Sequence, residues 1–285
     1  MKTRSSYSPE VTSRARRVLV DVFAALGAHA RWAMLVGGGV PGLLPERVVK
    51  NAPGHAGTTD ADILLDPRGF SERDYETVAE RLLERGYSYR KDRDGNDIKF
   101  SFEVQVEGTP VCVDFLAPAA GEAKGFRVPI QPGLHGRAAR GAEISWLFPL
   151  EIDLEEELLQ GGRFRCRIRV VDAPGFIVLK ALAFRDRQAP KDAYDLWYVL
   201  TYSTDGPGAV AARLAPHRQD ADVAAAIDVL QMAFADERAA GAVAVATFQE
   251  SEGEHALRAA AQAYAVLRVF LTAWDGAIGR SRAGD

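Results

Sequence analysis

Val11, Ala15, Val18, Leu19, Val22, Phe23 and Leu26 recur at three- and four-residue intervals, which predicts an amphipathic helix. Ser8-Pro9-Glu10 precedes it as N-cap, first-turn proline and acidic first turn, and Gly27 closes it. A short apolar run over 32–36 stops at Gly37-Gly38-Gly39, the pattern of a buried strand entering a tight turn. A brief helix is expected next, ending before Asn51-Ala52-Pro53-Gly54. Residues 60–65 read as a strand and 71–85 as a helix, with Ser71 as its cap. The clearest alternation follows: Ile98, Phe100, Phe102, Val104 and Val106 interleave with Lys99, Ser101, Glu103 and Gln105. That is a period-two strand with one face buried, and Glu107-Gly108-Thr109-Pro110 turns it back into a partner strand over 111–116.

From 117 to 141 the chain is rich in Gly, Pro, Ala and Arg and reads as a long loop, with short strands expected near 142–148 and 163–171. The pattern then becomes helical. Asp172-Ala173-Pro174 opens a helix to about Arg187, Pro190 opens another to about Tyr202, and a last helix spans 252–274. The expected class is α+β: a mixed-sheet lobe with flanking helices over 1–171, then an all-helical lobe over 172–285.

Composition narrows this little. Of 285 residues 47% are apolar and 26% charged, which suits a globular chain with a large core. Cys112 and Cys166 cannot make a disulfide framework and read as buried reduced thiols, so a cytoplasmic location is expected. The first six residues lead into a charged helix rather than a signal peptide. Gln262 and Arg268 interrupt the apolar stretch 259–274, so no membrane association is expected. A net charge of −4 makes no general case for nucleic acid, but it leaves room for a local basic surface. Arg163, Arg165, Arg167 and Arg169 alternate with Phe164, Cys166 and Ile168, and the preceding loop adds Lys124, Arg127, His135, Arg137 and Arg140. Such a stripe either tracks phosphates or is the solvated face of a half-buried strand.

Three acids carry the candidate chemistry. Asp60 and Asp62 project from one face of a strand, where like charges need a cation or full solvation. Hard carboxylate oxygens suit Mg²⁺. Asp114 lies in the apolar strand over 111–116 and needs a partner or a site, unless it sits at a sheet edge. Three acids on two strands can bracket two metal ions, the arrangement used for in-line phosphoryl transfer. The glycine turn lets backbone N–H groups approach phosphate oxygens. Gly37-x-Gly39-x-x-Gly42 also fits a dinucleotide fingerprint, though the segment before Pro53 is short for the crossover helix, and a plain tight turn is the third reading. Lys180 has Phe176, Ile177, Ala183 and Phe184 as helical neighbours, so its ammonium should reach an anion or snorkel to water. Asp192 lies beside the apolar face of the next helix and Asp195 further round towards solvent. Both read either as first-turn acids facing the helix dipole or as partners of Lys180 or an arginine.

Taken in order, Met34-Leu35-Val36-Gly37-Gly38-Gly39, Thr58-Thr59-Asp60-Ala61-Asp62-Ile63 and the stretch from Lys180 to Lys191-Asp192-Ala193-Tyr194-Asp195-Leu196 resemble the AbiEii/AbiGii-type nucleotidyltransferases. These are toxin components of bicistronic toxin–antitoxin systems with the DNA polymerase β-like nucleotidyltransferase fold. The resemblance implies that Gly38, Gly39, Thr59 and Lys180 bind a nucleoside triphosphate. It implies Asp60, Asp62 and Asp114 as ligands of catalytic Mg²⁺ (or Mn²⁺), and Asp192 in a supporting or catalytic position. Asp114 would also take the acceptor's proton, while Lys180 offsets charge on pyrophosphate. A cognate antitoxin encoded nearby, and the tRNA 3′ end or another RNA as acceptor, are the implied partners. This chain has His55-Ala56-Gly57 where many relatives carry an arginine, and Gly38-Gly39-Val40-Pro41 where many have Gly-Gly-Thr-Ala. Transfer to a small molecule or a protein hydroxyl, and a non-catalytic nucleotide- or partner-binding role, stand as alternatives.

Overall fold

The computed structural model describes residues 3–44, 54–71, 76–119, 127–202 and 206–282, with side chains to 277. The chain is α+β. Helix α1 (Pro9–Leu26) is capped by Ser8, whose hydroxyl accepts from the Val11 N–H, and its buried stripe of Val18, Leu19, Val22, Phe23 and Leu26 lies on the sheet. Strands β1 (Ala33–Val36) and β2 (Asp60–Leu65) pair antiparallel, with short 3-10 turns over Gly37–Gly39 and Pro41–Leu43 after β1. The helix expected between them lies, past Leu44, outside the described residues. Helix α2 (Val78–Glu84) starts later than expected. Its cap is Thr77, in a reciprocal capping box with Glu80, rather than Ser71, and residues 72–75 lie outside the described residues.

Strand β3 (Ser88–Lys91) edges the sheet, and β4 (Asp97–Val106) returns through Glu107-Gly108 into β5 (Thr109–Pro118). The expected loop over 117–141 holds a hairpin instead, β6 (Arg127–Gln131) with β7 (Leu134–Ala139). Pro132-Gly133 makes its turn, with Gly133 at φ +77°, the conformation a glycine after proline takes in a tight turn. The strand expected near 142–148 is a short helix, α3 (Ala142–Ser145), because Ala142, Ser145 and Phe148 bury at helical spacing. Strands β8 (Pro149–Glu157) and β9 (Arg163–Val171) complete the sheet, whose order is β3-β4-β5-β2-β1-β9-β8, with β7 beside β5 and β6 beside β7. β2 runs parallel to β5 and β1 to β9. This mixed sheet, with β1 antiparallel to β2, is not the doubly wound parallel sheet that a dinucleotide fingerprint requires.

Helices α4 (Ala173–Arg187), α5 (Pro190–Tyr202), α6 (Gly206–Leu214), α7 (Ala221–Ala233), α8 (Ala240–Phe248) and α9 (Gly253–Arg282) follow. α4 is apolar on nearly every side because α3, α5, α6 and α7 all pack on it. Cys112 and Cys166 are free and half-buried rather than fully buried. Among the described residues no helix is long and apolar enough to cross a membrane.

Candidate active site

The parallel pairing of β2 with β5 sets Asp62 beside Asp114 and Asp60 beside Cys112. Both Asp62 and Asp114 open onto a cleft of about 600 Å³. Enclosure, and then the neighbouring Asp114 charge, push the Asp62 carboxyl up to about 6, against the pull of Lys180 and Arg137. Asp114 is oriented by the buried Ser101, whose hydroxyl donates to its Oδ1. Asp60 accepts from the Thr59 hydroxyl at 2.9 Å, and the Thr58 hydroxyl donates to the Asp60 carbonyl at 2.9 Å. The glycine turn passes this strand closely. Gly37 has φ +73°, and a Cβ there would lie 2.0 Å from Asp62 Oδ2; one on Gly38 would lie 3.1 Å from Lys191 Nζ.

Cations face these acids from α4 and α5. Lys180 Nζ lies 3.0 Å from Asp192 Oδ1 and 2.8 Å from Asp195 Oδ2. Arg187 grips Asp192 through two nitrogens at 2.6 and 2.7 Å, and Lys191 holds both Asp195 oxygens at 2.9 and 3.0 Å. His55 Nε2 adds a contact to Asp195 Oδ1 at 2.8 Å. Burial opposes the charge on Asp195, but Lys180 and Lys191 outweigh it and hold the carboxyl well below the usual range. Burial likewise opposes the Lys180 ammonium, yet Asp195 and Asp192 together keep its pKa above that of a free lysine. With three cations around two carboxylates, this wall has one formal positive charge in excess, although burial lowers the pKa of the Lys191 ammonium.

One expectation changes here, and one choice is decided. Asp195 does not turn towards solvent; it is fully buried, because Lys180 from α4 and His55 from the segment before β2 converge on it. Lys180 does not snorkel, since two carboxylates meet it inside. Gly38, Thr59, Asp60, Asp62, Asp114, Lys180 and Asp192 all line the one cleft, whereas Gly39 lines a smaller cavity of about 90 Å³ behind it.

Sequence reasoning passed over several contributors. Ser101 was recoverable by counting the hairpin from Glu107-Gly108, which pairs Val106 with Thr109 and hence Ser101 with Asp114. Lys191 stands four residues before Asp195, a spacing that supports an ion pair. Tyr7 had no signal. It reaches the cleft because Ser5 and Thr3 are tied to Glu250 (Ser5 N–H at 2.9 Å, Thr3 hydroxyl at 3.0 Å), and its ring centroid lies 5.3 Å from Lys191 Nζ.

Among the described residues no group of three or more His, Cys, Asp or Glu side chains is drawn together tightly enough to hold a metal ion as it stands. The assembled unit is the pair Asp62 and Asp114, with Asp60 two residues along the same strand. The donor set nevertheless fits a divalent cation: hard oxygens, with like charges set side by side in an enclosed cleft.

The arginines of β9 face a row of acids on β8. β8 places Glu151 opposite Arg169, Asp153 opposite Arg167, Glu155 opposite Arg165 and Glu157 opposite Arg163. Asp153 accepts from Arg167 at 2.8 Å and Arg165 at 3.2 Å, Glu155 pairs with Arg163 at 3.0 Å, and Arg169 turns to the Arg31 carbonyl. An acid ladder therefore neutralises the stripe. Lys124 of the adjoining segment lies outside the described residues.

A mixed sheet that sets paired carboxylates against a lysine-and-arginine wall defines an α+β protein with a cleft of the kind suited to polyphosphate substrates. A family model described as "Nucleotidyl transferase AbiEii toxin, Type IV TA system" matches residues 58–274, about three quarters of the chain. The chain belongs to this family of nucleotidyltransferase toxins from type IV toxin–antitoxin systems. The matched segment takes in Asp60, Asp62, Asp114, Lys180 and Asp192 and begins after the glycine turn. No curated protein and no solved structure matched the chain.

Proposed function

We propose that the protein transfers a nucleotide from a nucleoside triphosphate to an RNA 3′ hydroxyl, such as the tRNA acceptor end, in a Mg²⁺-dependent reaction. One observation carries the reading: Asp62 and Asp114, side by side across two strands, face the Lys180 cluster over a single cleft. The triphosphate would lie along Gly38, Thr59 and Lys180, where the glycine leaves room for close approach and the surplus positive charge offsets the phosphates. Asp60, Asp62 and Asp114 would hold Mg²⁺, or Mn²⁺ in its place, which when bound polarises phosphoryl oxygens and acidifies the attacking hydroxyl. The acceptor oxygen bonds to the α-phosphorus as the bond to the β-phosphate breaks. Asp114 takes the hydroxyl proton, with Ser101 fixing its carboxylate. Lys180 and Lys191 offset the charge gathering on the departing pyrophosphate, and Asp192 holds Lys180 in place. On this reading residues 1–171 form the transferase lobe and 172–285 the helical lobe that closes the cleft.

Incubation with each labelled ribonucleoside triphosphate, Mg²⁺ and either total tRNA or cell extract tests this. Label is expected in RNA, and D60A or D62A should abolish it. Label only in a small molecule or a protein would move the acceptor to that class. No label with any nucleotide would overturn transfer. Co-purification of the product of the adjacent gene would test for a cognate antitoxin.

A further inference from the structure

A second chamber, of about 360 Å³, opens beside the acid pair, and it shares Asp62, Arg137, Lys180 and Arg187 with the main cleft. Its walls are apolar at Leu116, Leu179, Leu182 and Ala183. Among the described residues, every cation around it but one is paired. Arg140 pairs with Asp222 at 2.6 Å, Arg187 with Asp192, and Asp186 with Arg185 at 2.7 Å. Arg137 has no ion-pair or hydrogen-bond partner among the described residues, although its Nε is enclosed. It sits on β7 opposite Leu116 of β5, two residues beyond Asp114, and its charge bears on Asp62 without an ion pair at contact distance. A half-buried guanidinium without an ion-pair partner, on the wall that the cleft and the chamber share, is a seat for an anion, and its planar fork matches a phosphate.

Resting on the nucleotidyl-transfer reading, we propose that this chamber admits the acceptor and that Arg137 binds the phosphodiester next to the attacking 3′ hydroxyl. The layout separates the two substrates. The triphosphate occupies the side of Gly38 and Thr59, the acceptor enters past Leu116 and Ala183, and the two meet at Asp62, the acid common to both spaces. The apolar walls suit a sugar and a base, and the arginine selects an acceptor with a charged linkage over a neutral alcohol.

The test uses the full chain and two probes: an oligoadenylate of about ten nucleotides with a free 3′ hydroxyl, and the same strand with a neutral methylphosphonate as its last linkage. ATP affinity is measured in parallel on every variant. Wild type should bind the charged probe about tenfold or more tightly over the neutral one, as one charge-assisted fork predicts. R137A should bind both alike, R137K should keep part of the preference, and ATP affinity should change little. Equal preference in wild type and R137A, no preference in wild type, or ATP binding without binding of either probe overturns the proposal alone. Loss of ATP affinity in R137A with the probe preference kept assigns Arg137 to the triphosphate and also overturns it. A wild-type protein that binds no nucleotide and labels no acceptor overturns the transfer reading beneath it.

Discussion

His55 Nε2 lies 2.8 Å from Asp195 Oδ1 across 140 residues of sequence, and the tautomer of that imidazole is set from its other side. The Gly57 N–H donates to His55 Nδ1 at 3.0 Å, so Nδ1 accepts and Nε2 carries the hydrogen given to Asp195. Burial is the main force keeping the ring neutral, helped by Lys191 and Lys180 and opposed by Asp195. The folded pKa therefore lies below 6.5, and the unfolded chain takes up the proton first on acidification. Stability from this group is present above that value and drains away as pH falls. The thermal midpoint should drop between about pH 7 and about pH 5, and H55Q should flatten that slope, measured by calorimetry across the range.

Asp62 has the opposite sign. Its folded pKa is raised to about 6 from 3.8, so the folded chain holds the proton longer and stability falls as pH rises through that window. At pH 8 without metal, D62N should be more stable than wild type by on the order of 1–2 kcal/mol after screening by cleft water. Mg²⁺ should raise the melting temperature of wild type and have little effect on D62N. Nucleotide transfer by D62N should fall by about a thousandfold or more, read as label incorporated per minute.

Gly37 tolerates no side chain. With φ +73° and a Cβ position 2.0 Å from Asp62 Oδ2, G37A must either displace that carboxylate or shift the turn. Transfer should be lost, and the positive φ alone should cost about 1–2 kcal/mol in a denaturant titration. G42A, where a Cβ meets nothing within 4 Å, serves as the control.

Ser101 acts through Asp114. S101A removes the hydroxyl that orients the carboxylate and should slow turnover by roughly tenfold while leaving KM for the nucleotide nearly unchanged. Turnover is counted per folded molecule, so a loss of stability alone would not produce this effect.

The arginines of β9 should prove dispensable for the acceptor. Replacing Arg163, Arg165 and Arg167 by alanine is expected to leave transfer to RNA within about twofold, because each faces a carboxylate of β8. The salt dependence of RNA binding checks the same point, since free phosphate-binding arginines would steepen it.

Much of the sheet was legible because its signals are local. The alternation over 98–106, the turn at Glu107-Gly108 and the position of Asp114 follow from period two and one turn, whereas the parallel pairing that sets Asp62 beside Asp114 is non-local and had no such signal. The hairpin over 127–139 was hidden because eight of its thirteen positions are Gly, Pro, Ala or Arg, which weakens the apolar alternation. Asp195 was misplaced for a different reason. Helical periodicity ranks faces by their apolar neighbours on one helix, whereas this carboxylate is buried by cations brought from α4 and from the segment before β2. The ladder between β8 and β9 was likewise invisible until Glu151, Asp153, Glu155 and Glu157 were set in register with the arginines.

The division of the cleft has a bearing on when the chain becomes active. Asp60, Asp62 and Asp114 come from β2 and β5, while Lys180, Arg187 and Lys191 come from α4 and α5. A nascent chain still missing these helices at the ribosome would present acids with no wall to hold a polyphosphate, however well its sheet had formed. The two halves of the charge pattern meet only once synthesis has passed α5.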